Sequence, residues 1–294
     1  MKISIISLIA IASVNAQSVS FSFGSDTWDY ASGPSTVGFL KQTPANSTIV
    51  SSGSVTKNGV TMKFGASFVG GADSGTNYSG LSSGSSMTFA PTGQNPSGFL
   101  LTTNDNDSTG LSGTSTSSSL SGNVTKYQRW HFEFSSPITI NSFLIQDIDN
   151  LSGGFRDILG AEGYIATGYN SAFNGNALNV SALPTAGSGI DPTFGLANNS
   201  ELDRYTLNIG SQTLRVVSPG EDTNNPSSDP QHRANITFAD TQIRAFSIYA
   251  ISNQSSNHRM SLDNGVFQVT IPEPSVWILN VLSITCIVTR RRRA

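Results

Sequence analysis

The sequence predicts an all-β protein, an antiparallel β-sandwich of jelly-roll-like order, and three observations carry that reading. Short runs alternate apolar and polar residues with a period of two, as in Ser18-Val19-Ser20-Phe21-Ser22-Phe23 and Trp130-His131-Phe132-Glu133-Phe134. Clusters of Gly, Ser, Asn and Pro separate these runs. Between residues 17 and 271 no segment sustains the 3.6-residue apolar period of an amphipathic helix. A parallel β-helix would need a fixed repeat length, and the chain has none.

In chain order, residues 1–16 combine a basic Lys2, an apolar core from Ile3 to Ala12 and a small-x-small end at Val14-Asn15-Ala16. That is the pattern of a secretory signal peptide cleaved after Ala16. The following 17–271 stretch has room for a sizeable core without covalent staples. Val19, Phe21 and Phe23 share one face of the first strand. Lys57-Asn58-Gly59 followed by Val60-Thr61-Met62-Lys63-Phe64 carries the strongest short hairpin signal, Asn-Gly. Residues 86–89 and 98–101 are further strand candidates. Residues 104–123 read as a low-complexity surface loop, or a seam between subdomains.

Beyond that loop the pattern sharpens. In 130–134 the aromatics face a core, which places His131 and Glu133 toward solvent. Strands are expected at 142–146, 155–158, 163–167, 205–209, 213–217, 235–238, 243–250 and 265–271, the last one after a turn at Ser261–Gly265. The many short strands with Gly/Asn/Pro turns favour sandwich architectures.

Charge and cysteine usage narrow the function. Of 16 Lys and Arg, five lie in the two end segments (Lys2, Arg290 to Arg293), and of 19 Asp and Glu only Glu273 does. The 17–271 body is therefore near −7, with 11 basic against 18 acidic residues. No basic patch exists for phosphate, which argues against a nucleic-acid partner. The single cysteine, Cys286, lies near the C-terminus, so the body has neither a disulfide nor a Cys-based metal site.

Two sets of residues suggest chemistry. Asp147, Asp149 and Asp157 flank a Gly153-Gly154 turn, and three carboxylates with loop carbonyls suit Ca²⁺, a hard cation taking six to eight oxygens. The competing reading makes them turn-capping residues, with Arg156 neutralising one of them. Trp28, Tyr30 and Tyr78 offer aromatic faces on which sugars stack, although core packing explains each of them equally well. No Gly-x-Ser-x-Gly elbow or His-Glu-x-x-His motif is present, and His232 and His258 fall in polar loops. Glycoside hydrolysis needs only two carboxylates, for which Glu133, Glu162, Glu201, Asp203 and Glu221 are available.

The last stretch has three parts. Pro272-Glu273-Pro274 is a stiff break that neither helix nor central strand continues. An apolar run follows, with Val276, Trp277, Ile278, Leu279, Val281, Leu282, Ile284, Ile287 and Val288 as its membrane-facing residues. As a helix of roughly 14 residues it rises only about 21 Å, short of the ~30 Å hydrocarbon core, so the anchor is marginal alone. Arg290, Arg291, Arg292 and Arg293 then form a basic cluster that stays cytoplasmic by the positive-inside rule.

This tripartite tail, residues 272–294, resembles the PEP-CTERM sorting signal of Gram-negative bacteria. Asn280 interrupts the apolar run, and the run has less Leu, Ala and Gly than is usual there. The resemblance is silent on the body of the protein. It implies processing at or near Pro272-Glu273-Pro274 by exosortase, a membrane protease-transpeptidase, with the inner membrane a transient partner. The expected protein is a non-enzymatic exported one at the cell surface or in the extracellular polysaccharide matrix, structural or adhesive, with polysaccharide as its ligand class. A secreted polysaccharide hydrolase and an unprocessed bitopic membrane protein are the competing expectations.

Overall fold

The computed structural model describes residues 16–23, 25–30, 33–35, 52–69, 88–90, 98–103, 111–112, 119–150, 156–165, 173–174, 177–178, 183–220, 230–239, 241–252 and 258–272. The described residues are mostly strand. In order, the strands are β1 (Gln17–Ser22), β2 (Trp28–Tyr30), β3 (Gly33–Ser35), β4 (Ser52–Lys57), β5 (Val60–Val69), β6 (Thr88–Ala90) and β7 (Gly98–Thr103). Then come β8 (Leu111–Ser112), β9 (Ser121–Val124), β10 (Tyr127–Gln146), β11 (Asp157–Tyr164), β12 (Phe173–Asn174), β13 (Ala177–Leu178) and β14 (Thr193–Leu196). The last six are β15 (Leu202–Ile209), β16 (Gln212–Pro219), β17 (Ala234–Thr237), β18 (Ile243–Ser252), β19 (His258–Leu262) and β20 (Val266–Ile271). Hydrogen bonding joins 18 of them into one continuous network, with β12 and β13 forming a separate pair. The expected all-β class is the one observed.

The Asn-Gly signal forms its hairpin. Asn58 (φ 51°) and Gly59 (φ 78°) both take left-handed backbone between β4 and β5, which a two-residue turn of mirror-image type requires. Asn and Gly tolerate that region far better than other residues. The Thr56 and Thr61 hydroxyls meet across the pair at 2.8 Å.

β10 organises the rest. Expected as two strands at 130–134 and 142–146, it is one strand of 20 residues that changes partners midway. Residues 127–134 pair with β5 on one side, and residues 128–133 pair with β18 on the other. The register with β18 then jumps from Glu133 to Ile138, across Ser135-Ser136-Pro137, where proline has no N–H to donate. Beyond the jump β10 pairs with β20, β17 and β19. The expected strands at 155–158 and 163–167 are likewise one element, β11.

Two hydrophobic clusters result. The larger is rich in aromatics: Phe23 stacks on Trp28 at 4.6 Å, Phe132 stacks on Phe246 at 4.6 Å, and Phe267 meets Phe132 edge-on at 4.9 Å. The second contains Leu120, Val124, Tyr127, Ile158, Leu207, Ile209, Leu214, Val216, Tyr249 and Ile251. It lies inside a roll. The ladder β10–β18–β11–β16–β15–β9 brings β9 back to β10, and the two-residue link Thr125-Lys126 joins those strands in the chain.

This roll overturns one expectation. His131 and Glu133 do not face solvent: they are 0% and 4% exposed, and Arg129 beside them is 4% exposed. The alternation itself is real, since Trp130, Phe132 and Phe134 belong to the large cluster. The opposite face is also covered, with Arg129 bonding the Pro184 carbonyl, Tyr164 and Ser247. The stretch 104–123 is also less bare than its composition implied. Leu111–Ser112 pair with Ser121–Gly122, and Leu120 is buried in the roll.

Candidate functional site

The covered face of β10, β18 and β11 holds a row of polar side chains set by register. His131 lies opposite Ser247, and Ser247 lies opposite Glu162. Two residues along, Arg129 is opposite Tyr249 and Tyr249 is opposite Gly160. Sequence alternation missed this group because a half-buried strand is expected to put such residues outward.

The row is densely hydrogen-bonded. Arg129 Nε donates to Ser247 Oγ at 3.0 Å, Nη1 to the Pro184 carbonyl at 2.6 Å and Nη2 to the Tyr164 hydroxyl at 3.0 Å. Ser247 Oγ, which accepts from Arg129, also lies 3.0 Å from His131 Nδ1. Burial, and secondarily the Arg129 charge, hold His131 well below its ordinary pKa, so the ring is neutral. Glu162 collects three donors: Tyr164 OH at 2.7 Å and Tyr249 OH on Oε2, and Gly189 N at 3.1 Å on Oε1. Burial raises the pKa of both tyrosines, and the guanidinium of Arg129 sits 5.8 and 5.5 Å from their rings. A serine beside a histidine suggests a nucleophile, yet Ser247 and His131 are both fully buried, so no substrate carbonyl reaches them. The row is a rigid polar core that ties three strands to the 183–190 segment.

The three aspartates read as a calcium set lie where β10 ends and β11 begins. Asp147, where β10 ends, takes a left-handed φ of 66°. Asp157 N donates to the Asp149 carbonyl at 2.9 Å, and Asp149 N lies 3.4 Å from Asp157 Oδ2. Burial first, and then the neighbouring Asp149, push Asp147 up to about 8; burial first, and Asp147 among the lesser causes, raise Asp157 well above the carboxylate range. Among the described residues no group of three His, Cys, Asp or Glu is arranged to hold a metal ion. Arg156 is fully buried. Its Nε donates to Ser218 Oγ at 2.8 Å, its Nη2 to Tyr205 OH at 3.0 Å, and its guanidinium stands 5.2 Å from the Tyr205 ring.

Several other expected positions are resolved. Trp28 offers no stacking face to a sugar: it is 0% exposed and packs in the large cluster. Tyr30 ends β2, and Tyr78 lies outside the described residues. His232 is no loop residue in solvent but fully buried, its Nε2 3.1 Å from Glu201 Oε2. His258 opens β19. The turn before the last strand is present as a short 3-10 segment, Asp263–Gly265. Glu221, Glu273, Pro274, the apolar run and the arginine cluster lie outside the described residues; Pro272 is the last described one. Among the described residues no helix is long and apolar enough to cross a membrane.

A scan against family models, a search of curated proteins and a search of solved structures find no match to this chain.

Proposed function

We propose that this is an exported, non-enzymatic surface or matrix protein, released from a membrane-held precursor by a transpeptidase of exosortase type acting near Pro272-Glu273-Pro274. The observation that carries the reading is the tripartite pattern of residues 272–293: a proline-framed break, an apolar run too short to hold a membrane firmly, and four consecutive arginines. The strand map supports it. β1 begins at Gln17, next to the expected cleavage point at Ala16, and β20 ends at Ile271, next to Pro272. Gln17 and Ile271 are direct partners in the β1–β20 ladder, so both proposed cuts leave the folded body whole.

We read that body as a β-sandwich built around the large aromatic cluster, with the rolled strands as a second, smaller core. Sorting is tested by intact-mass measurement of the C-terminus in a wild-type strain and in one lacking the processing transpeptidase. Loss of residues from the Pro272 region onward in the first strain, and their retention in the second, is the expected outcome. Arg290 to Arg293 on the mature protein in both strains would overturn the reading.

A further inference from the structure

The β5–β10 pair carries a block of four polar side chains on the same face as His131, where β10 passes Glu133. Thr61 and Lys63 come from β5, Glu133 and Ser135 from β10, and together with Phe134 they line a cleft of about 300 Å³. Lys63 lies directly opposite Glu133 in the register. The Ser135 hydroxyl accepts from Thr61 N at 2.9 Å, which leaves its own proton to give. Glu133 is the unusual member. It is only 4% exposed, and its Oε2 is buried with no hydrogen-bond partner among the described residues. Such a group costs free energy unless something completes it.

The surrounding charges restrict what can. A bare cation at Glu133 would face the ammonium of Lys63 and the guanidinium of Arg244, both of which act on this carboxyl. An anion would meet the carboxylate itself. A hydroxyl group does both jobs, donating to Glu133 Oε2 while accepting from Lys63 or Ser135. Burial pushes Glu133 up to about 7 against the pull of those two cations, so the carboxylate is available as an acceptor above neutral pH.

We infer that the Thr61–Lys63–Glu133–Ser135 cleft is a binding subsite for the hydroxyls of a neutral sugar residue. The inference deepens the matrix-protein reading above by locating its carbohydrate contact in a polar cleft rather than on exposed aromatics. A single carboxylate lines it among the described residues, which fits binding and not the two-carboxylate hydrolysis of glycosides.

The test is an amide-resolved NMR titration of the purified protein at pH 8 with glucose, galactose and mannose, and with glucuronate and glucosamine as anionic and cationic controls. Saturable shifts confined to Thr61, Lys63, Glu133 and Ser135 with at least one neutral sugar are expected, weakened at least several-fold in Glu133→Gln and in Lys63→Met. The wild-type titration alone decides the matter if either variant fails to fold. No saturable shift at these amides with any neutral sugar, or tighter binding of a charged control there, overturns the inference. The titration does not depend on tail processing, so sugar binding with an intact C-terminus sinks only the sorting reading, and a cut C-terminus without sugar binding sinks only the subsite.

Discussion

Replacing Asp147 by Asn removes a charge that the fold has no good means of solvating. Asn keeps the size of the side chain and tolerates the left-handed φ of 66° almost as well as Asp, so backbone strain changes little. In the folded chain the carboxyl is pushed to about 8 from an ordinary 3.8. A folded-state pKa above the unfolded one means that the native state holds the proton more tightly. The associated stability is therefore complete below about pH 4 and is lost as pH rises through about 8. A shift of roughly four units corresponds to a ceiling of about 6 kcal/mol. Asp149 and Asp157 lie beside Asp147 and act on it electrostatically, and partial hydration relaxes the penalty, so a gain of about 2 kcal/mol for Asp147→Asn at pH 9 is the realistic figure. Urea denaturation at pH 5, 7 and 9 in EDTA measures it: the wild-type midpoint should fall across that range, and the variant should fall less. Parallel pH profiles for the two proteins would refute the reasoning. Repeating the series in millimolar Ca²⁺ tests the metal reading of the same aspartates. A bound ion would hold them ionised and raise wild-type stability at pH 7, with no such gain in Asp147→Asn.

Three further outcomes are expected. Glu162→Gln puts an amide N–H₂ either at Oε1, where Gly189 N donates, or at Oε2, where Tyr164 and Tyr249 donate, so at least one donor loses its acceptor and a cost of about 2 kcal/mol in urea denaturation is expected; a neutral result would mean that the network is not holding these strands together. Gly189→Ala places a Cβ 2.8 Å from Glu162 Cβ, the Gly163 carbonyl and Tyr164 Cε1, so a loss of about 2 kcal/mol or more is expected by the same assay, unless the 183–190 segment moves away without cost. Phe132→Ala opens the large cluster where Phe246 and Phe267 meet, and should cost about 3–5 kcal/mol; a melting temperature within two or three degrees of wild type would contradict the packing, in terms of the ~4 °C per kcal/mol typical of domains somewhat smaller than this.

What the sequence determined by itself is local. Period-two alternation placed Val19, Phe21, Trp130, Phe132 and Phe134 on buried faces, and Asn58-Gly59 specified a hairpin turn, because side-chain direction along a strand and the sign of φ depend on immediate neighbours in the chain. Alternation also says which residues share a face, but not whether the other face meets water. That was decided by the tertiary fold, which buries Arg129, His131, Glu133 and Glu162, of which His131 and Glu133 were expected to face solvent. Trp28 followed the same logic, leaving solvent because Phe23, Phe64 and the large cluster close around it. The partner change within β10 and the juxtaposition of Gln17 with Ile271 arise from pairings between residues far apart in the chain, and a short stretch of sequence carries no record of those.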